Sequence, residues 1–204
     1  ISVVKGRVQD LDNLLFTDFK STQPLRRLRR RQRALRDRVV LPKARVEVQH
    51  VVGIDVAYKD DHAFAAAAIF EHSNGRMVDA VTVEGDAKFP YVPTYLAFRE
   101  LPIVSSLVKG LPTDSVLMYD GNGLLHPEGV GIAAHAGVMF GLPTIGVAKS
   151  LLCGSRHAPS GTGPVSIRMR GQLVGHEVTG GRSTKPVYVS VGHGISLAQA
   201  LEIT

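Results

Sequence analysis

The chain has 204 residues, 44% of them hydrophobic and 21% charged, a length and balance that fit one domain with a substantial core. Its one cysteine, Cys153, excludes an intrachain disulfide and a cysteine-based metal cluster, and no apolar run reaches the roughly 18 residues of a membrane span. The formal charge is +6, but removing the eight arginines between Arg26 and Arg38, together with Asp37, leaves −1, so the basic character is local. A reducing cytoplasm suits this cysteine usage. The first residues lack the basic-then-apolar order of a signal peptide, so the expected protein is cytoplasmic, monomeric and without membrane contact.

The arginines fall on the first predicted helix, about residues 25–39. Leu25, Leu28, Gln32, Leu35 and Val39 recur at three- and four-residue intervals and describe one narrow stripe that can dock on a core. Arginine studs the rest of the surface. Within the segment only Asp37 offers an acidic partner, so mutual repulsion favours an external anion, and Arg29, Arg30 and Arg33 are read as phosphate contacts. The other reading is a solvated face.

Three strand-like runs follow, at Val46–Tyr58, Ala63–Glu71 and Met77–Glu84, joined by the short turns KDDH and HSNGR. Together they predict an antiparallel meander. Thr94–Glu100 reads as a short helix capped by Thr94, and Pro102 as the first residue of a second helix running to about Lys109. Ser115–Asp120 and Thr144–Ala148 are apolar strands on either side of a helix from about Val130 to Phe140, a βαβ unit and hence a parallel pair. Val165–Met169 and Gln172–Thr179 form a hairpin, Val187–Val191 is a further strand, and Ser196–Ile203 closes the chain as a helix. The expected fold is α/β: a mixed β-sheet, antiparallel meander plus parallel βαβ unit, flanked by helices.

Chemistry gathers at strand ends. The run VLMYDGNGLLHPEGVGIAAHAG delivers Asp120 from an apolar strand into a turn rich in glycine and histidine, with His126 and His135 beside the acid. This is not a dinucleotide-binding fingerprint, because His126 stands where the third glycine belongs and the acid precedes the glycines. Asp55 sits among apolar neighbours in VVGIDVAY, where an unpaired carboxylate would be costly to bury; the other reading is an aspartate on a solvated strand face. Adjacent strands lie about 4.8 Å apart, so Asp120 can meet Asp55 across the sheet, and two carboxylates so close call for a cation. Hard oxygen donors without thiolate suit Mg²⁺ or Mn²⁺. Glu100 can add a third carboxylate directly or through water, or be a surface residue of a helix end. His193, at the end of VYVSVGH, is expected to point at the same sheet edge, as ligand, water-holder or proton donor, or to be a satisfied structural histidine. Lys149 can neutralise charge on phosphoryl oxygens, or be a solvated strand-end lysine.

The segments GIDVAY, PYVPTYLAFRE, DGNGLLHPEGVGIAAHAG, GVAKS and VSVGHGIS, in this order, resemble the endonuclease V family over most of Val51–Leu201. The resemblance implies a ribonuclease-H-like fold and Mg²⁺-dependent cleavage of a strand at the second phosphodiester 3′ to inosine, leaving a 3′-hydroxyl and a 5′-phosphate, in DNA repair. It implies a catalytic set of Asp55, Glu100, Asp120, Lys149 and His193, with Asp55, Asp120 and Glu100 at the metal. Pro90, Tyr91, Val92 and Pro93 would form a strand-separating wedge, and Leu96, Gly121, His126, Gly131, Ile132 and Leu152 a pocket for the flipped base. Three positions depart from the family pattern: Thr94 replaces a frequent glycine, and Glu128 and Gly194 stand where basic residues are common. The partner is then inosine-containing DNA, with RNA as the other substrate form. A non-catalytic nucleic-acid-binding module would explain the arginines and the wedge but not the converging acids. An actin-like phosphotransferase would need a second core, for which 204 residues leave no room.

Overall fold

A computed structural model describes residues 23–159, 163–180 and 183–204. Nine strands form one mixed sheet in the order β3-β2-β1-β4-β5-β9-β8-β7-β6. The meander is β1 (His50–Lys59), β2 (His62–Glu71) and β3 (Met77–Asp86), and its two hairpins pair antiparallel throughout. β4 (Ser115–Asp120) joins β1 in parallel, and β5 (Thr144–Ala148) joins β4 in parallel. β6 (Ser155–His157), β7 (Val165–Met169), β8 (Gln172–Gly180) and β9 (Ser183–His193) extend the sheet antiparallel. The helices are α1 (Gln23–Arg36), α2 (Leu96–Val108), α3 (Ile132–Phe140) and α4 (Leu197–Ile203). The ribonuclease-H-like architecture expected from the sequence is present.

Alternation along the central strands sorts the helices onto two faces. Val52, Ile54, Leu117 and Tyr119 point to one side, where Ala97, Leu101, Val104 and Leu107 of α2 and Ala133 and Ala136 of α3 cover them. Val116, Ile145, Val189 and Val191 point to the other, against Ala200 and Leu197 of α4. α4 packs on one end of that face. Met118, Val147 and Val187 on the same face are only half-buried.

Several boundaries differ from expectation for physical reasons. The first strand begins at His50, not Val46, because the Val46 backbone is held by the Gln199 side chain, which accepts from its N–H and donates to its carbonyl. α1 ends at Arg36; Leu28, Gln32 and Leu35 are its buried stripe, while Val39 packs just beyond its end. The two helices expected around Pro102 are one. Proline removes one intrahelical bond, but Ala97, Phe98, Leu101, Val104 and Leu107 bury one continuous face across it, and that burial outweighs the loss. Thr94 caps nothing: the first residue outside the helix is Tyr95, without a side-chain cap, and Thr94 has φ 72°. The exposed three-residue strand β6 has no apolar pattern and was not expected.

Candidate active site

β1 and β4 run parallel with Ile54 opposite Tyr119, so the next residues face each other, Asp120 at the carboxyl end of β4 and Asp55 midway along β1. Both are exposed, which corrects the expectation that Asp55 is buried. Its apolar neighbours alternate onto the covered face, while its own carboxylate opens to the cleft. Lys149 follows β5 directly and forms an ion pair with Asp120. Glu100 projects from α2, and burial together with the fields of Asp55 and Asp120 raises its carboxyl to about 7. Beside it the Arg99 guanidinium stacks 4.1 Å from the centre of the Tyr58 ring.

Among the described residues, no three His, Cys, Asp or Glu side chains are grouped closely enough to hold a metal as they stand. The donor set nevertheless fits a hard divalent cation. Asp55 and Asp120 are paired by register and both offer carboxylate oxygens, and Glu100, held up by burial first and then by the fields of both, stands near enough to add a third.

His193 does not join this group. β9 runs antiparallel to β5 and places His193 opposite Thr144, whereas Asp120 lies opposite Val147. Three residues of strand, about 10 Å, separate those levels, so the expectation of a shared sheet edge fails on strand direction. The His193 Nδ1 instead accepts from the Val40 N–H at 3.2 Å. Gly194 beside it, at φ 65°, donates to the Val40 carbonyl, so its lack of charge bears on this far end and not on the acids. His135, too, is a core residue. It is buried edge-on against Phe98, and burial lowers its imidazole to about 4.

Next to the acids opens a cavity of about 330 Å³, within the usual range of small-molecule pockets. Leu96, Gly121, His126, Gly131, Ile132 and Leu152 all line it, and Asp120 and Lys149 stand at its edge. Two glycines make the close approaches that shape it. A Cβ at Gly121 would sit 2.6 Å from the Ile132 side chain, and one at Gly131 would sit 2.2 Å from the Asn122 carbonyl. The turn between them is fixed from below, Gly123 N–H donating to Ser190 Oγ and Leu124 N–H to the Val191 carbonyl.

Tyr91 and Pro93 form part of the cavity wall. Tyr91 is 59% exposed, which excludes a core role for its ring. Pro93 is also exposed, Pro90 is buried, and Val92 packs with Phe89, Tyr95 and Leu28. Of the four-residue loop, Tyr91 and Pro93 thus project. Its far end is pinned at Thr94, whose carbonyl accepts from Gln32 Nε2 at 2.7 Å and from His126 Nε2 at 3.0 Å. The Glu128 N–H donates to His126 Nδ1, which fixes the neutral tautomer with its proton on Nε2; burial lowers this imidazole's pKa further. Thr94 holds a left-handed φ that glycine would adopt without strain, and keeps the conformation at a local cost.

Glu128 overturns the view that α1 lacks an acidic partner. Its two carboxylate oxygens meet Arg29 Nε at 3.3 Å and Arg33 Nε at 2.7 Å. Arg33 holds the Glu128 carboxyl below its ordinary range. Arg30 is exposed. Sequence reasoning missed Gln32 and Asn122 as cavity residues; the one available signal was a glutamine in an otherwise apolar helical stripe.

A sequence profile of the family described as Endonuclease V matches residues 33–204. The chain belongs to the endonuclease V family. Endonuclease V of Thermofilum pendens is 44% identical over 185 residues, covering 88% of this chain and 78% of that protein. The crystal structure of endonuclease V from Streptomyces avermitilis superimposes with a TM-score of 0.78 at 38% identity, covering 88% of this chain and 82% of that one. Endonuclease V of Ciona intestinalis, solved with a 23mer DNA containing an inosine followed by a ribo-adenosine, superimposes with a TM-score of 0.77 at 25% identity, covering 90% and 88%. The chain is thus similar to endonuclease V proteins over most of its length, and it is a deoxyinosine endonuclease.

Proposed function

We propose that this endonuclease V repairs DNA by hydrolysing the second phosphodiester 3′ to inosine, with Mg²⁺, or Mn²⁺ in its place, leaving a 3′-hydroxyl and a 5′-phosphate. The observation that carries the reading is the facing of Asp55 and Asp120 beside a cavity lined by all six residues expected to hold the flipped base. The inosine-containing DNA bound by the Ciona relative supports the substrate class.

Asp55 and Asp120 would hold the cation, with Glu100 beside them. When bound, the cation polarises the scissile phosphate and makes a water at the site more acidic. Lys149, already paired with Asp120, can turn its ammonium to phosphoryl oxygens as charge builds on them. Glu100, beside the cation, would orient the attacking water by accepting a hydrogen bond from it. The neutral His126 and Gln32 keep the cavity rim in place through Thr94. Tyr91 would enter the gap left by the extruded nucleotide, and Arg30 would contact phosphate. The chain works as a single cytoplasmic domain and as a monomer.

The test is cleavage of matched inosine-containing DNA and RNA strands with Mg²⁺ and with chelator, by the wild type and by Asp55→Asn and Asp120→Asn. Cleavage of the DNA strand should need Mg²⁺ and fall below a few per cent in either variant, while binding of the inosine strand persists. Chelator-resistant cleavage, or cleavage by either variant near wild-type rates, overturns the metal assignment. A preference for the RNA strand would make the protein an inosine-directed ribonuclease.

A further inference from the structure

The Asp120–Lys149 pair borders two depressions. One is the cavity described above. The other, about 340 Å³, lies on the sheet face that α4 packs on, lined by Gly53, Met118, Val147 and Val187 together with Asp55 and Asp120. All of these project from β1, β4, β5 and β9 to the same side. The floor is apolar and half-exposed, while the acids stand at one end. Met118, Val147 and Val187 pack on the buried cluster beneath them, but their half-exposed flanks stand in a row beside the acids, with a glycine where a side chain would fill the groove. A Cβ at Gly53 would meet nothing within 4 Å, and glycine weakens a strand.

We propose that this groove is a subsite for the nucleoside on the 3′ side of the scissile bond, the first residue of the product that carries the 5′-phosphate. This rests on the function proposed above. With the inosine base in the first cavity and cleavage one nucleotide away, the intervening nucleotide spans the Asp120–Lys149 edge, and the next sugar and base fall over Gly53, Met118, Val147 and Val187. Ile54 and Tyr119 also border the groove, but their side chains pack in the core on the opposite face of the sheet, so apart from the acids and Lys149 the side chains that reach into the groove are apolar. It would therefore accept any base through contact area rather than through hydrogen bonds, and demand nothing of the sequence downstream of the lesion.

Gly53→Leu fills the groove without disturbing the fold, since its Cβ enters open space and a strand gains a side chain. The experiment compares single-turnover cleavage of two inosine strands that differ only at the nucleotide 3′ to the scissile bond, one normal and one an abasic tetrahydrofuran residue. Gly53→Leu should slow cleavage of the normal strand at least about tenfold, the effect of losing one nucleotide's apolar contact, and slow the abasic strand much less. Binding of an inosine strand that ends at the scissile position, and the melting temperature, should not fall. Equal slowing on both strands, or none, overturns the subsite. Gly53→Ala, expected to show a smaller effect of the same pattern, decides the matter where the leucine variant fails to fold. If wild-type protein leaves the normal inosine strand intact, the proposed function has failed and not this subsite alone.

Discussion

Single residues here divide into those that act through charge and those that act through shape. Glu100 belongs to the first kind. Its carboxyl titrates near 7 in the folded protein against about 4.5 as a free side chain, so the folded state retains a proton that the unfolded chain has lost between these values. The associated stability is fully present below about 4.5 and disappears as pH rises through 7. In chelator, the wild type should therefore lose melting temperature from about pH 5 to about pH 8 relative to Glu100→Gln, which keeps the shape without the ionisation. Parallel profiles for the two proteins would mean that Glu100 is not held high. Tyr91 belongs to the second kind. At 59% exposure its ring buries little, so Tyr91→Ala should leave the melting temperature nearly unchanged and strongly reduce cleavage of inosine in duplex, with a smaller effect on single strands. Truncating a core aromatic would instead cost about 3–5 kcal/mol of stability. A large drop in melting temperature with normal specific activity would sink the wedge. Asp55 and Asp120 were legible in the sequence because a carboxylate inside or at the end of an apolar strand has few explanations. His193 was misplaced because a histidine at a strand end looks the same whichever way the strand runs, and only register supplies direction.

At the scale of elements, α1 is more than a basic strip. Arg29 and Arg33 are held by Glu128, so the charge the helix offers an incoming strand is smaller than its arginine count. Both guanidiniums are more than half exposed, and such pairs contribute little to stability. Glu128→Gln should accordingly barely move the melting temperature, yet strengthen binding to inosine-containing and ordinary strands alike. It should also steepen the fall of log K with log salt by about 0.7 for each phosphate newly neutralised on a single strand. An unchanged slope would show that the two arginines do not face the strand. The helix itself was readable from the spacing of Leu28, Gln32 and Leu35. Its partner was not, since Glu128 lies 95 positions beyond Arg33 and no periodicity spans that distance. For the same reason the split expected at Pro102 gave way to one helix: local propensity argues for a break, and the buried face shared by Phe98, Leu101 and Val104 is a tertiary fact.

For the whole molecule, alternating apolar residues and short turns were enough to give the meander, and the two apolar strands around a helix gave the parallel pair. These patterns are local, and the sheet's order follows from them with the usual connection rules. Closure of the cavity is not local. Its walls come from α1, the Tyr91 loop, the Asp120 turn, the start of α3 and the segment after β5, elements that sequence alone leaves unassembled. Their joint is a single carbonyl, that of Thr94, gripped by Gln32 from α1 and by His126 from the turn. For anyone wishing to engineer a cleaner reagent, this changes what can be trimmed. The arginine-bearing segment looks like a detachable electrostatic handle, and cutting it away would be the natural route to lower background affinity for nucleic acid. Because Gln32 is also cavity wall, that cut would open the chamber and release the loop above it, exchanging a sticky selective enzyme for an unselective one. Surface arginines are the editable part, and the backbone that carries them is masonry.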